Sequence, residues 1–159
     1  MWFPAVRVMD SRCLGRVVTV ADREPQRIQR RRTKGYRLPE GAVCVDRSTR
    51  WGNPFKVGAL VMEPGSYASP ACPYDGFMEP GTYQWTGLGG PYTYEIRRVR
   101  DAADAAALFR PYVAFHDDVY PPEEIRRDLG GRDLACWCKV GTPCHGDERI
   151  RLANGGTDA

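Results

Sequence analysis

Apolar and polar positions alternate along the 159-residue chain in short blocks. Residues 16–21 (RVVTVA) are rich in β-branched side chains and predict a first strand. A polar, basic stretch follows and closes on Leu38-Pro39-Glu40-Gly41, a turn signal. Residues 42–45 (AVCV) form a short apolar run that predicts a buried strand. Beyond it, Gly52-Asn53-Pro54 cannot continue regular structure, because proline has no N–H and restricts its predecessor.

From residue 57 to about 91 the composition shifts to Gly, Pro, Tyr and Ser, with no helical period. Tyr83-Gln84-Trp85 and Tyr92-Thr93-Tyr94 alternate as the two strands of a hairpin would. The remainder reads as a surface insertion, loop-rich, over residues 57–95. The core is then expected over 16–56 and 96–154.

A helical period returns with Val99, Ala102, Ala106, Phe109 and Val113, placed on one face, and Asp101 and Asp104 suit its first turns. Pro111 is expected to kink or end it. Residues 121–129 open with Pro and acids and stop at Gly130-Gly131, the pattern of a second helix. Residues 134–137 predict a strand, 142–153 a last helix and 154–159 a frayed tail. Strands alternating with helices give the expected fold class: a single α/β domain, its small, largely parallel sheet flanked by helices, with the insertion in the middle. There is no internal repeat.

Length and composition fit one core, not two: hydrophobic residues make up 42% and charged residues 27%. No stretch approaches the ~20 apolar residues of a membrane span, and the N-terminus reaches Arg7 and Asp10 too early for a signal peptide. A cytoplasmic location without a membrane partner is therefore expected. In a reducing compartment, six cysteines point to metal or chemistry rather than disulfides. Cys13, Cys44 and Cys72 stand alone and are expected to be buried as small apolar residues.

The net charge is only +3, but residues 27–37 (RIQRRRTKGYR) hold six basic residues and no acid. With Tyr36 and Trp51 interleaved, the run suits contact with phosphate or nucleic acid, or a solvated charged loop. Thr33-Lys34-Gly35 predicts a tight turn. Asn53 either hydrogen-bonds a ligand or closes its own turn, the second reading being favoured. Asp46, Asp117, Asp118, Glu123 and Glu124 carry no spacing that marks them for acid–base work, and His116 suits a helix C-terminus.

The densest chemistry is residues 136–147, CWCKVGTPCHGD. Residues two apart in a strand share a face, so Cys136 and Cys138 face one way and Trp137 the other. Thr142 as N-cap with Pro143 at the first helical position puts Cys144 and His145 at the second and third, where the helix dipole lowers a thiol pKa. Cys136, Cys138, Cys144 and His145 then form a Cys₃His set for zinc or another soft metal. Alternatively, Cys144 is an activated nucleophile with His145 or Asp147 as its acid–base partner, or the cysteines are buried beside a capping histidine.

Taken together, residues 30–55 (RRRTKGYRLPEGAVCVDRSTRWGNPF) and 133–147 (DLACWCKVGTPCHGD) resemble the domain-of-unknown-function family numbered 4326, found in actinobacteria and their phages. Its members carry R-x-R-T-K-G-W-R-x-P, then W-G-N-P-F, a helix, L-x-C-W-C and P-C-H-x-D. Here Tyr36 replaces the usual Trp, Asp46 stands where Gly is common, and the middle segment is longer than in compact members. The resemblance implies that the two motifs form one site at the C-terminal strand ends, where open α/β sheets bind ligands. It carries no settled activity and suggests nucleotide or nucleic-acid metabolism.

The favoured reading is an enzyme for a nucleotide or another phosphorylated molecule. Arg30, Arg32, Lys34 and Arg47 hold phosphate, Trp51 and Asn53 contact the ligand, and Cys144, His145 and Asp147 stand at the reacting centre. The alternative is a non-catalytic nucleic-acid-binding module stapled by zinc.

Overall fold

The computed structural model describes residues 23–65, 69–87 and 89–155. The strand expected over 16–21 and Cys13 lie outside them. A three-stranded parallel sheet has the order β1 (Arg27–Gln29), β7 (Leu134–Cys136), β2 (Val43–Cys44). β7 is central and buried at all three residues, as a parallel strand covered on both faces must be. β1 falls inside the basic run, where one apolar residue in three gives no strand signal. It forms because Arg27, Ile28 and Gln29 register against Leu134, Ala135 and Cys136 at the edge of the described sheet.

Much of the region expected as a loop-rich insertion is instead a four-stranded antiparallel sheet: β4 (Cys72–Pro73), β3 (Leu60–Pro64), β6 (Gly90–Arg98) and β5 (Gly81–Gly87), in that order. The hairpin pairs Tyr83 with Tyr94 and Trp85 with Tyr92, their rings stacked at 5.7 and 5.6 Å. The Gly and Pro that masked the strands largely sit at their ends and turns, so aromatic cross-strand pairs set the structure.

Helix α1 (Ala102–Phe115) begins at Asp101, whose carboxylate accepts from Asp104 N at 2.8 Å. Its buried face is Ala105, Leu108, Phe109 and Val113; Val99 precedes the helix, and Ala102 is exposed. Pro111 does not end it. A missing hydrogen bond and ring clash cost about 3 kcal/mol, while Phe109 and Val113, buried on either side, each return about 1.5–3 kcal/mol. Buried Asp104 binds Arg97 of β6 and Arg100, tying the antiparallel sheet to α1 within one domain. Those partners hold its carboxyl well below the usual range, Arg100 foremost.

Helix α2 (Pro122–Leu129) ends at Gly130 as expected. Helix α3 (His145–Ala153) packs on α2, α1 and β7. Its end is not frayed at Asn154, which caps it and accepts from Gly131 N at 2.9 Å. No described helix is long and apolar enough to cross a membrane.

Candidate functional site

The three parallel strands end at one edge, and the ladder runs one step past them: Arg30 N donates to Cys136 O, and Val45 N to Ala135 O. That edge therefore collects Arg30 after β1, Asp46 after β2 and Cys136-Trp137-Cys138 at the end of β7. The N-terminus of α3 arrives at the same place. A cleft of about 120 Å³ opens there, lined by Asp46, Arg47, Trp137, His145 and the three cysteines 136, 138 and 144 among others.

Cys136 and Cys138 do meet, their sulfurs 3.7 Å apart, but not through the strand period: β7 ends at Cys136, and Trp137, expected on the other face, lines the same cleft. With Cys144 these two cysteines form a group whose Sγ atoms all lie within 4.8 Å of one another, a cluster able to hold a metal ion; His145, expected as its fourth ligand, is not in that group. Cys44 and Cys72 are free and half-buried, outside this group.

Helix α3 starts later than its sequence suggests. Thr142 turns back, its N and Oγ1 both donating to Lys139 O, with Gly141 at φ +85° making the turn. Cys144 is the N-cap, its Sγ accepting from Gly146 N at 3.4 Å. The helix dipole does not make Cys144 the acidic thiol. The hydrogen bond from Cys144 pushes Cys136 down to about 5 against its burial, while that same bond and burial push Cys144 up. Burial, and then the Cys136 charge, raises Cys138. Sulfurs this close share one easily formed thiolate, because a second or third negative charge needs a cation between them.

His145 is buried, and its Nε2 lies 2.5 Å from Val45 O. A carbonyl only accepts, so Nε2 carries the proton and the bare Nδ1 faces Cys144 Sγ at 3.6 Å. Burial lowers its pKa and keeps the ring neutral. Asp147 is not in the cleft: its carboxylate is turned to Arg27 Nε at 2.8 Å.

The turn expected at residues 33–35 is present, with Tyr36 N donating to Thr33 O and Gly35 at φ +83°. The basic run is not left wholly without acids, since the fold brings Asp147 to Arg27 and Asp46 to Arg30. Arg30 and Arg32 both lie over the Trp137 indole, 4.5 and 4.9 Å from its centroid. Arg31, Arg32, Lys34 and Arg37 are exposed, and no carboxylate among the described residues is paired with them. Arg32 reaches the cleft rim through Trp137, whereas Lys34 stays at the turn tip.

The WGNPF turn supplies structure rather than ligand contacts. Trp51 is 6% exposed and holds the guanidiniums of Arg50 and Arg149 against its ring, so it has no face for a ligand. Asn53 is used at both ends, donating to Ala105 O and accepting from Phe55 N. Arg47 donates to Asn53 O and Phe55 O, which commits two of its nitrogens to the turn although it lines the cleft. Gly52 is required because a Cβ would stand 2.6 Å from Arg47 Cα.

Residues 28–155 match the family described as Domain of unknown function (DUF4326). The chain belongs to that family. No curated protein and no solved structure matches it. The matched span of the family contains the whole cleft and also Asp46, to which the sequence assigns no role, and Arg149, which it does not single out. Asp46 is buried at the cleft wall. Burial opposes its charge, but hydrogen bonds from Ser48 and Arg30 prevail and lower its pKa. Arg149 is fully buried, its guanidinium over Tyr120, Phe109 and Trp51. Only the departure from Gly marked position 46, and position 149 looked like any polar helix residue.

Proposed function

We propose that the protein is an enzyme that binds a nucleotide or another phosphorylated small molecule in the cleft between the basic turn and a zinc centre. The observation that carries this reading is the stack of Arg30 and Arg32 on Trp137, the residue between two clustered cysteines. A phosphate-binding guanidinium thus stands beside a metal-type donor set. Arg32 has no acid partner among the described residues and lies over Trp137 at the cleft, so it is the group expected to meet phosphate.

Zinc is the ion the donors fit. Zn–S bonds of about 2.3 Å at tetrahedral angles set sulfurs about 3.8 Å apart, close to the 3.7 Å between Cys136 and Cys138. A Zn–N bond of about 2.0–2.1 Å sets an N–S edge of about 3.6 Å; His145 Nδ1 meets that separation to Cys144 Sγ but not the grouping with all three sulfurs. A ligating histidine commonly gives its other N–H to a carbonyl, as His145 does to Val45. Cys136, Cys138 and Cys144 hold the ion, and the His145 ring, which stands outside the group of three, must shift toward Cys136 and Cys138 before it can take the fourth position. When that position is open to the cleft, zinc supplies Lewis-acid polarisation of a bound oxygen.

The same tautomer lock favours the second reading, a nucleic-acid-binding module with a saturated zinc staple. Calorimetric titration separates the two. Free nucleotide binds saturably, and Arg32→Ala weakens it about 10- to 100-fold, the worth of a charged hydrogen bond of about 1.5–3 kcal/mol. Salt-dependent binding of oligonucleotides without turnover supports the module instead. If neither ligand binds, both readings fail.

A further inference from the structure

The residue that fixes the metal loop lies on neither motif of the cluster. The segment between Cys138 and Cys144, residues 139–143, decides how far apart those two sulfurs stand, and Val140, Gly141 and Thr142 within it are exposed. Thr142 closes the turn on Lys139 O from within, but those bonds do not tie the loop to the sheet or to α3. Arg27 reaches it from β1. Its Nη1 donates to Lys139 O at 3.1 Å, one residue past Cys138, and its Nη2 to Thr142 O at 2.7 Å, two residues before Cys144. Its Nε donates to Asp147 Oδ1 at 2.8 Å in the first turn of α3. One rigid guanidinium therefore spans both ends of the loop and the helix that follows.

Arg27 is built in for this task. Its side chain is 6% exposed. Its stem passes close over Gly146, where a Cβ would sit 3.2 Å from Arg27 Cδ, so glycine there leaves it room. With all three nitrogens already on the loop and helix, it is not a phosphate ligand, unlike Arg32. Its charge is met by Asp147, so its part is to hold the loop rather than to neutralise the thiolates.

We infer that Arg27 is a positioning residue for the zinc centre, holding Cys138 and Cys144 at coordination distance. The inference rests on the zinc reading above, and its failure can be told apart from the failure of that reading. Zinc affinity is measured by competition with a chromophoric chelator, beside melting temperatures of the zinc-loaded and metal-free protein. Arg27→Gln is expected to lose about 10- to 100-fold in zinc affinity, the usual cost of removing a partner that orients ligands. Arg27→Lys is expected to fall between, because an ammonium keeps the charge but not the planar fork. The gap between zinc-loaded and metal-free melting temperatures narrows in step. A purely structural role would lower both melting temperatures together and leave zinc affinity unchanged, which overturns the inference. If Arg27→Gln does not fold, Arg27→Lys decides: a several-fold loss supports the inference, and wild-type affinity overturns it. Wild-type protein that binds no zinc overturns the zinc reading itself, before any variant is compared.

Discussion

Cys136→Ser is expected to strip the protein of zinc and to abolish the stabilisation that zinc brings. Cys136 ends the buried central strand, so its sulfur is the fixed corner of the triad, 3.7 Å from Cys138 Sγ. It is also the thiol most ready to ionise, pushed down to about 5. Serine keeps the shape but is a poor zinc ligand, so affinity should fall by at least about 100-fold, or roughly 2.7 kcal/mol. Bound metal stabilises a fold by RT ln(1 + [L]/Kd), about 4 kcal/mol at a thousandfold excess over Kd. Chelator should therefore lower the wild-type melting temperature and leave that of Cys136→Ser unchanged. Cys72→Ser is the control, since Cys72 lies outside the triad and should leave zinc binding intact. If Cys72→Ser loses zinc and Cys136→Ser keeps it, the assignment of ligands is wrong.

Arg149→Ala is expected to be the most destabilising substitution outside the triad. Its guanidinium sits 4.3 Å from the Tyr120 centroid, 4.9 Å from Phe109 and 5.2 Å from Trp51, and its Nε donates to Trp51 O. Neither terminal nitrogen meets a hydrogen-bond acceptor among the described residues. Burial pulls its pKa down to about 10, so it stays charged at neutral pH. The aromatic faces thus stabilise a desolvated cation that bonds the Trp51 turn to α3. Truncation empties that cage and releases the turn, at a cost of about 3–5 kcal/mol. Arg149→Met refills the volume without burying a charge and should cost under about 1.5 kcal/mol. Urea unfolding of the two variants measures both. An alanine variant within about 1 kcal/mol of wild type would mean the cage contributes little.

The parts of this protein that were legible in its sequence are those whose signal is local. The C-x-C spacing brought Cys136 and Cys138 together, although β7 stops before Cys138, and Gly130-Gly131 marked the end of α2. The family resemblance rested on two long motifs with few departures, and the basic run of the first does meet the second, for Arg30 and Arg32 reach Trp137. What stayed hidden is set by tertiary pairing. β1 is a strand because β7 lies beside it, and nothing in Arg-Ile-Gln announces that. The start of α3 moved because Thr142 spends its donors on Lys139 O. Trp51 looked like a ligand platform because an exposed and a buried tryptophan are identical in sequence. Its partner Arg149 lies 98 residues away. The acid-free appearance of the basic run had the same origin, since Asp46 and Asp147 pair with it only across the fold.

The most direct test is the metal content of untagged protein, measured alongside native titration of its thiols. One equivalent of zinc per chain, with Cys136, Cys138 and Cys144 protected until chelator is added, is the predicted result. Metal-free protein in which one triad thiol reacts fast below pH 7 would contradict it and would make Cys136 a free thiolate.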